Sequence, residues 1–246
     1  MFRTLTAEDI AHYYEDGFMR YGRILPDDEL AEVRTYVDDL IAHLPAGRRS
    51  ENINMPHTSD AYLLKLCSLK GILDVVEQFI GPNIVLFASH IISKRQGDGL
   101  PLPWHQDAAY WALEPMNVMT LWLAIDDSTV ENGCMRVVPG SHKWGLIPHV
   151  SYSVKEQVLD QEMADINLDE SKAVDVELKA GECSFHEPFL IHGSKPNTST
   201  KRRCGYTMRF MPPETKLIRS GRFADHPLYL LRGTDARGTN KYVNVG

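Results

Sequence analysis

Ile84-Val85-Leu86-Phe87-Ala88-Ser89-His90-Ile91-Ile92-Ser93-Lys94 is the stretch on which the fold turns. It is apolar and β-branched over the length of a strand. Val118 to Ile125 repeats that character, as do Met135 to Val138, Ala173 to Leu178, Ser184 to Ile191 and Arg203 to Met211. Turn chemistry separates these runs at Gly97-Asp98-Gly99, Glu131-Asn132-Gly133, Pro139-Gly140-Ser141, Ala180-Gly181 and Pro196-Asn197. Short strands this dense, without a helix between each pair, predict a mainly β fold: an antiparallel jelly roll, or double-stranded β-helix.

Upstream the pattern is helical. Thr6 with Asp9 resembles a capping box for a short helix ending near Gly17. Asp27, after Pro26, is expected to cap a second helix, in which Leu30, Val33, Val37, Leu40 and Ile41 form one apolar stripe. A third is expected from Ser68 to Ile80, stopped by Gly81-Pro82. The expectation is one domain over 1–246, with a helical part (1–82) packed on one sheet of a jelly-roll core (83–212). Residues 146–182 hold nine acidic residues against three lysines, the composition of a lid over a site or, equally, of a solvated excursion. The tail from Glu214 has six basic residues against three acidic and no motif.

Composition narrows the function. Hydrophobic residues at 43% and charged ones at 24% are ordinary globular usage. Lys and Arg number 26 against 33 Asp and Glu, and the net charge of −7 argues against a nucleic-acid or anionic-membrane surface. Cys67, Cys134, Cys183 and Cys204 are widely spaced without a CxxC pair, as in a reducing compartment. The first residues carry acidic side chains where a signal peptide would be apolar, and no run approaches a membrane span. A cytoplasmic protein is expected, with a homodimer as one available assembly.

Chemistry first surfaces in Pro103-Trp104-His105-Gln106-Asp107. Alternation lets a His and an Asp two apart at a strand end aim at one point. Alone, the pair could equally be a structural hydrogen bond. Ile191-His192-Gly193-Ser194 adds a second imidazole at the end of a late strand, 87 residues after His105. Two histidines and one carboxylate with three positions left open form the ligand set of non-haem Fe(II) oxygenases. Structural zinc would want a closed set of four, commonly with cysteine, and none adjoins these motifs. Lys201-Arg202-Arg203 opens another strand 11 residues after His192. A 2-oxo acid chelating iron leaves a distal carboxylate that a guanidinium binds well. Alternation allows only one of Arg202 and Arg203 to point inward. For Arg203 the next inward positions are Gly205, Thr207 and Arg209.

The run Gly81-Pro82-Asn83-Ile84, with Trp104-His105-Gln106-Asp107, Asn132-Gly133-Cys134-Met135, Pro139-Gly140-Ser141-His142, His192-Gly193-Ser194 and Arg203, resembles the phytanoyl-CoA dioxygenase family. The resemblance covers nearly the whole chain and implies Fe(II), 2-oxoglutarate and O2 on a double-stranded β-helix. It implies His105, Asp107 and His192 as catalytic iron ligands, Arg203 for the 2-oxoglutarate C5 carboxylate, and Ser194 in support. Trp122 and Trp111 match aromatic positions lining the cosubstrate site, and His90 is a weaker match. Related halogenases lack the carboxylate ligand, so Asp107 favours hydroxylation or another oxidation, with succinate and CO2 released.

Tyr110, Arg209 and His57 are candidates for touching substrate, His57 from a polar loop able to fold over the site. His12, His43 and His226 read as surface residues and His142 as a turn residue. His186 would share a face with His192, but Pro188 predicts a break between them. The family also oxidises free metabolites, and the tail arginines Arg219, Arg222, Arg232 and Arg237 are a loose basis for seating coenzyme A phosphates, so a small free metabolite is favoured. The alternatives are a non-catalytic cupin-like binding module, for which Arg203 has no use, and a redox-neutral metalloenzyme.

Overall fold

The computed structural model of the protein describes residues 3–151, 158–159, 161–164 and 167–244. The helices are α1 (Ala7–Asp16), α2 (Asp27–Ala42), α3 (Ala61–Cys67) and α4 (Lys70–Ile80). The strands are β1 (Phe18–Arg23), β2 (Ile53–Asn54), β3 (Ile84–Lys94), β4 (Leu102–His105), β5 (Leu113–Glu114), β6 (Met119–Ala124), β7 (Met135–Val137), β8 (His149–Ser151), β9 (Gln161–Met163), β10 (Val174–Val176), β11 (Glu182–His186), β12 (His192–Ser194), β13 (Arg203–Met211), β14 (Lys216–Leu217) and β15 (Tyr229–Arg232).

The antiparallel major sheet runs β1-β11-β6-β13-β3-β15, with β2 also on β3, and the minor sheet runs β10-β7-β12-β4. Alternation along the strands builds two apolar layers. Leu121 and Leu123 of β6, with Tyr206 and Met208 of β13, face outward to meet Val33 and Val37 of α2, Leu63 of α3 and Val76 of α4. Trp122 and Ala124 face inward and meet Met135, Val137 and Val176 of the minor sheet. Each fully buried Val or Leu stabilises by about 1.5–3 kcal/mol, so the helical layer is an integral wall of the barrel. The jelly roll and the helices packed on one sheet are as the sequence predicts.

Thr6 does cap α1 through a capping box with Asp9, and Gly17 closes it in the left-handed region. Other boundaries differ. Asp27 lies in the first turn of α2, Pro26 occupies the cap position, and no side chain caps it. The helix expected from Ser68 begins at Lys70, behind a separate α3 capped by Asp60. The first 82 residues also contain β1, which is stabilised by pairing with the distant β11 rather than by local pattern. The strand expected over Ser184 to Ile191 ends at His186; after Pro188 the chain crosses to the minor sheet as β12.

The 146–182 stretch is not a single insertion. Its β10 belongs to the minor sheet and Glu182 opens β11. The hairpin of β8 and β9 lies against the barrel mouth, where Met163 packs with Val138, Ile147 and Ile191. Residues 152–157, 160 and 165–166 of the expected lid lie outside the described residues.

Candidate active site

His105 ends β4 and His192 begins β12, and the two are direct cross-strand partners. Asp107 opens a 3-10 turn (Asp107–Tyr110), so the turn, not strand alternation alone, swings its carboxylate beside the imidazoles. Ligand atoms of His105, Asp107 and His192 all lie within 4.8 Å of one another, and all three residues are buried.

The imidazoles are oriented for ligation. His105 Nδ1 lies 2.8 Å from the Pro103 carbonyl and His192 Nδ1 lies 2.9 Å from that of Leu190. A carbonyl only accepts, so each Nδ1 carries the proton and each Nε2 presents a lone pair. Burial lowers the pKa of both rings, and for His192 the neighbouring His105 and His186 lower it further. Burial alone would raise the Asp107 carboxyl, but Arg209 foremost, then His186, His192 and His105, hold it well below the usual carboxylate range. Its Oδ2 is 3.4 Å from Arg209 Nε, 3.5 Å from Thr120 Oγ1 and 3.7 Å from His186 Nε2, while Oδ1 faces His105.

His186 ends β11, and the break that Pro188 predicts after it is present. Even so, its ring stands 4.8 Å from that of His192, and both its nitrogens are buried without a hydrogen-bond partner. Among the described residues, the ligand atoms of His105, Asp107 and His192 converge with no protein group between them. Two neutral imidazoles and a carboxylate fit iron(II).

Arg203 and Arg202 separate as alternation requires. Arg202 points outward to Asp126 and Asp38. Arg203 is 2% exposed and donates to the Gly133 carbonyl (2.9 Å) and, at 3.4 Å, to Ser194 Oγ. Trp122 lies 5.4 Å beneath its guanidinium. The Trp122 ring also covers Gly205, where an added Cβ would come within 2.2 Å of it. An inner cavity connects these groups to the triad and to His90 and Thr207.

Outside it lies a cavity of about 570 Å³, sharing His90, Asp107, Leu159 and Arg209 with the inner one. Tyr110 and Arg209, the substrate candidates, line it, and burial first, then Arg209, push His90 down to about 3. Three expectations need correction. Trp111 lines this outer cavity rather than the inner one, packing under Arg209 and against Phe87. His57 lines neither cavity: it is a core residue 2.6 Å from Ser89 Oγ and edge-on to Tyr229, with its pKa lowered by burial to about 4. Its loop neighbours Asn52, Asn54 and Met55 line the outer wall instead. His226 is no surface residue; it bonds the Phe87 carbonyl and lines the outer cavity with Arg222 and Phe223. His12 and His43 are exposed, and His142 bonds the Tyr14 carbonyl.

Comparison with known proteins agrees with this geometry. The family model for phytanoyl-CoA dioxygenase (PhyH) matches residues 13–205. The peroxisomal phytanoyl-CoA dioxygenase of Homo sapiens is 28% identical over 240 residues, covering 87% of this chain and 70% of that protein. A probable alpha-ketoglutarate-dependent hypophosphite dioxygenase of Stutzerimonas stutzeri is 30% identical over 192 residues, covering 76% and 65%. The solved structure of the non-heme monooxygenase ThoJ, in its apo form, superposes with a TM-score of 0.77 at 28% identity, covering 95% of this chain and 86% of that one. The chain belongs to the phytanoyl-CoA dioxygenase family, and with it to the iron(II)- and 2-oxoglutarate-dependent oxygenases.

Proposed function

We propose that this protein hydroxylates a small free metabolite, with iron held by His105, Asp107 and His192 and the distal carboxylate of 2-oxoglutarate held by Arg203 and Ser194. The observation that carries this reading is a buried guanidinium without an acidic partner among the described residues, opening on the same inner cavity as three convergent metal-ligand side chains. A non-catalytic metal-binding module has no use for that cation, and a redox-neutral metalloenzyme would form no succinate.

When bound, iron(II) with 2-oxoglutarate and O2 supplies the oxidising power, and the 2-oxo acid leaves as succinate and CO2. The chain supplies placement. Carbonyls of Pro103 and Leu190 hold the two imidazoles in the ligating tautomer. Arg209 and Thr120 engage Asp107 Oδ2, with His186 Nε2 3.7 Å away, and would hold the carboxylate in place for a metal. Trp122 and Arg203 close the inner end, so a dicarboxylate there is held at both ends and screened from water.

The outer cavity takes the substrate. Its volume suits a small molecule, and its wall alternates apolar rings (Phe87, Trp111, Phe223) with polar groups (Asn52, Asn54, His226). The tail arginines do not converge on a phosphate seat. Arg232 pairs with Asp74 and Glu77, and Arg219 binds backbone carbonyls; Arg222 alone reaches the cavity wall. This dispersal supports a free metabolite over a coenzyme A thioester. The test is incubation of iron-loaded protein with 2-oxoglutarate and fractionated metabolites, followed by mass spectrometry. A product gaining one oxygen atom, formed only when 2-oxoglutarate is present and absent with Asp107→Ala, is expected. Turnover confined to acyl-CoA thioesters would overturn the substrate reading.

A further inference from the structure

Two buried basic side chains meet at the inner end of the barrel. Lys94, the last residue of β3, is the direct cross-strand partner of Arg203 and has no exposed surface. Its Nζ donates to Ser194 Oγ at 2.7 Å and to the Lys195 carbonyl. Arg203 reaches the same Ser194 hydroxyl from the other side at 3.4 Å, and its remaining bonds go to the Gly133 carbonyl. Among the described residues neither cation makes an ion pair. The buried acid in this region, Glu51, is already held by Arg49 at 2.7 Å and by the Leu100 amide.

Burying an uncompensated charge costs several kcal/mol. A guanidinium keeps its proton regardless, whereas an ammonium can shed its own. Two charges side by side would be costly here, so the lysine is the one that gives up its proton until an anion arrives, and Ser194 connects both side chains to the cavity where one would sit.

We propose that Lys94 is a second cationic holder of the distal-carboxylate seat, acting through Ser194 and taking up a proton as the dicarboxylate enters. The inference rests on the reading of Arg203 as the cosubstrate anchor. Burial first, then Arg203 of β13, push Lys94 down to about 6, while Glu51 and Cys134, the other titratable groups facing it, act weakly in the opposite direction. An arriving carboxylate stabilises the charged form and raises that value. Between about 6 and the raised value, binding takes up a proton, and cosubstrate affinity falls as pH rises. Lys94 is thus a positioning residue whose charge follows occupancy. A lysine that merely ties Ser194 to the Lys195 carbonyl would keep one protonation state throughout.

The test is anaerobic calorimetric titration of 2-oxoglutarate into the iron-loaded protein at pH 7.5, in buffers of different ionisation enthalpy. Close to one proton taken up per cosubstrate is expected. 2-Oxobutyrate, which chelates metal but lacks the distal carboxylate, should bind without uptake. Lys94→Met should abolish the uptake and weaken 2-oxoglutarate about tenfold or more, the loss of a charged hydrogen bond at about 1.4 kcal/mol per decade. Binding without proton uptake in the unaltered protein overturns the proposal even if the variant does not fold. Equal uptake with 2-oxobutyrate, or unchanged affinity in Lys94→Met, overturns it as well. No binding of 2-oxoglutarate by the unaltered protein would instead bring down the functional reading beneath it.

Discussion

Replacing Arg203 by Met should separate stability from cosubstrate binding. Burial pulls the guanidinium down from its ordinary range to about 10, so the folded protein opposes that charge by roughly 3 kcal/mol at about 1.4 kcal/mol per decade. Removing it leaves the Gly133 carbonyl without its donor, a penalty of about 1–3 kcal/mol. The two nearly cancel. Without cosubstrate, the Arg203→Met melting temperature should stay within a few degrees of the parent. Binding should behave differently, because losing one partner of a buried charge-assisted contact costs about 2–5 kcal/mol. That is thirty- to several-thousand-fold in 2-oxoglutarate affinity. Arg202→Met is the control with the opposite signature. It loses pairs to Asp126 at 2.7 Å and Asp38 at 2.5 Å on a partly exposed side chain, so about 1 kcal/mol of stability goes while cosubstrate affinity stays within about twofold. Thermal melts with and without 2-oxoglutarate, beside direct titrations, measure both quantities. If Arg202→Met loses cosubstrate and Arg203→Met keeps it, the strand register behind the site is wrong.

Gly205→Ala should cost about 1–3 kcal/mol, because the new methyl overlaps Trp122 and drives the ring off Arg203 into the inner cavity. Melting temperature and 2-oxoglutarate affinity should fall together, and an unchanged value of both would mean that Trp122 does not pack as described. Glu187 carries a pH dependence: burial raises its carboxyl to about 7, against a smaller opposing bond from the Phe189 amide. A value raised in the folded state means stability present at low pH and lost as pH rises from the unfolded value of about 4.3 through about 7. Urea unfolding at pH 5 and pH 8 should therefore show a loss of about 2 kcal/mol that Glu187→Gln removes; a Glu187 contribution that grows with pH would contradict it.

What could be read from the chain depended on whether the signal was local. Ile84 to Lys94 and Arg203 to Met211 carry their strand character in their own composition, and their bounds match β3 and β13. Alternation required that only one of Arg202 and Arg203 point inward, and the family resemblance named Arg203, which is the one the barrel buries. β1 was missed because its reason to be a strand is the distant β11. Lys94 looks like an ordinary polar strand end until pairing sets it opposite Arg203. His186 was visible at the right spacing, but Pro188 hid how the chain turns back to keep that ring beside Asp107. Arg222, Phe223 and His226 carry no motif and reach the outer cavity only because the tail folds back, pairing β14 with β5 and β15 with β3.

The central claim is that His105, Asp107 and His192 hold iron(II) in chelating reach of a 2-oxo acid whose far end Arg203 secures. Anaerobic titration of 2-oxoglutarate into the iron(II)-loaded protein, followed through the visible metal-to-ligand charge-transfer band, tests it most directly. The band should grow to saturation at one equivalent, need far more 2-oxoglutarate in Arg203→Met, and be absent in His192→Ala. No band in the unaltered protein, or an undiminished one in His192→Ala, would contradict the account.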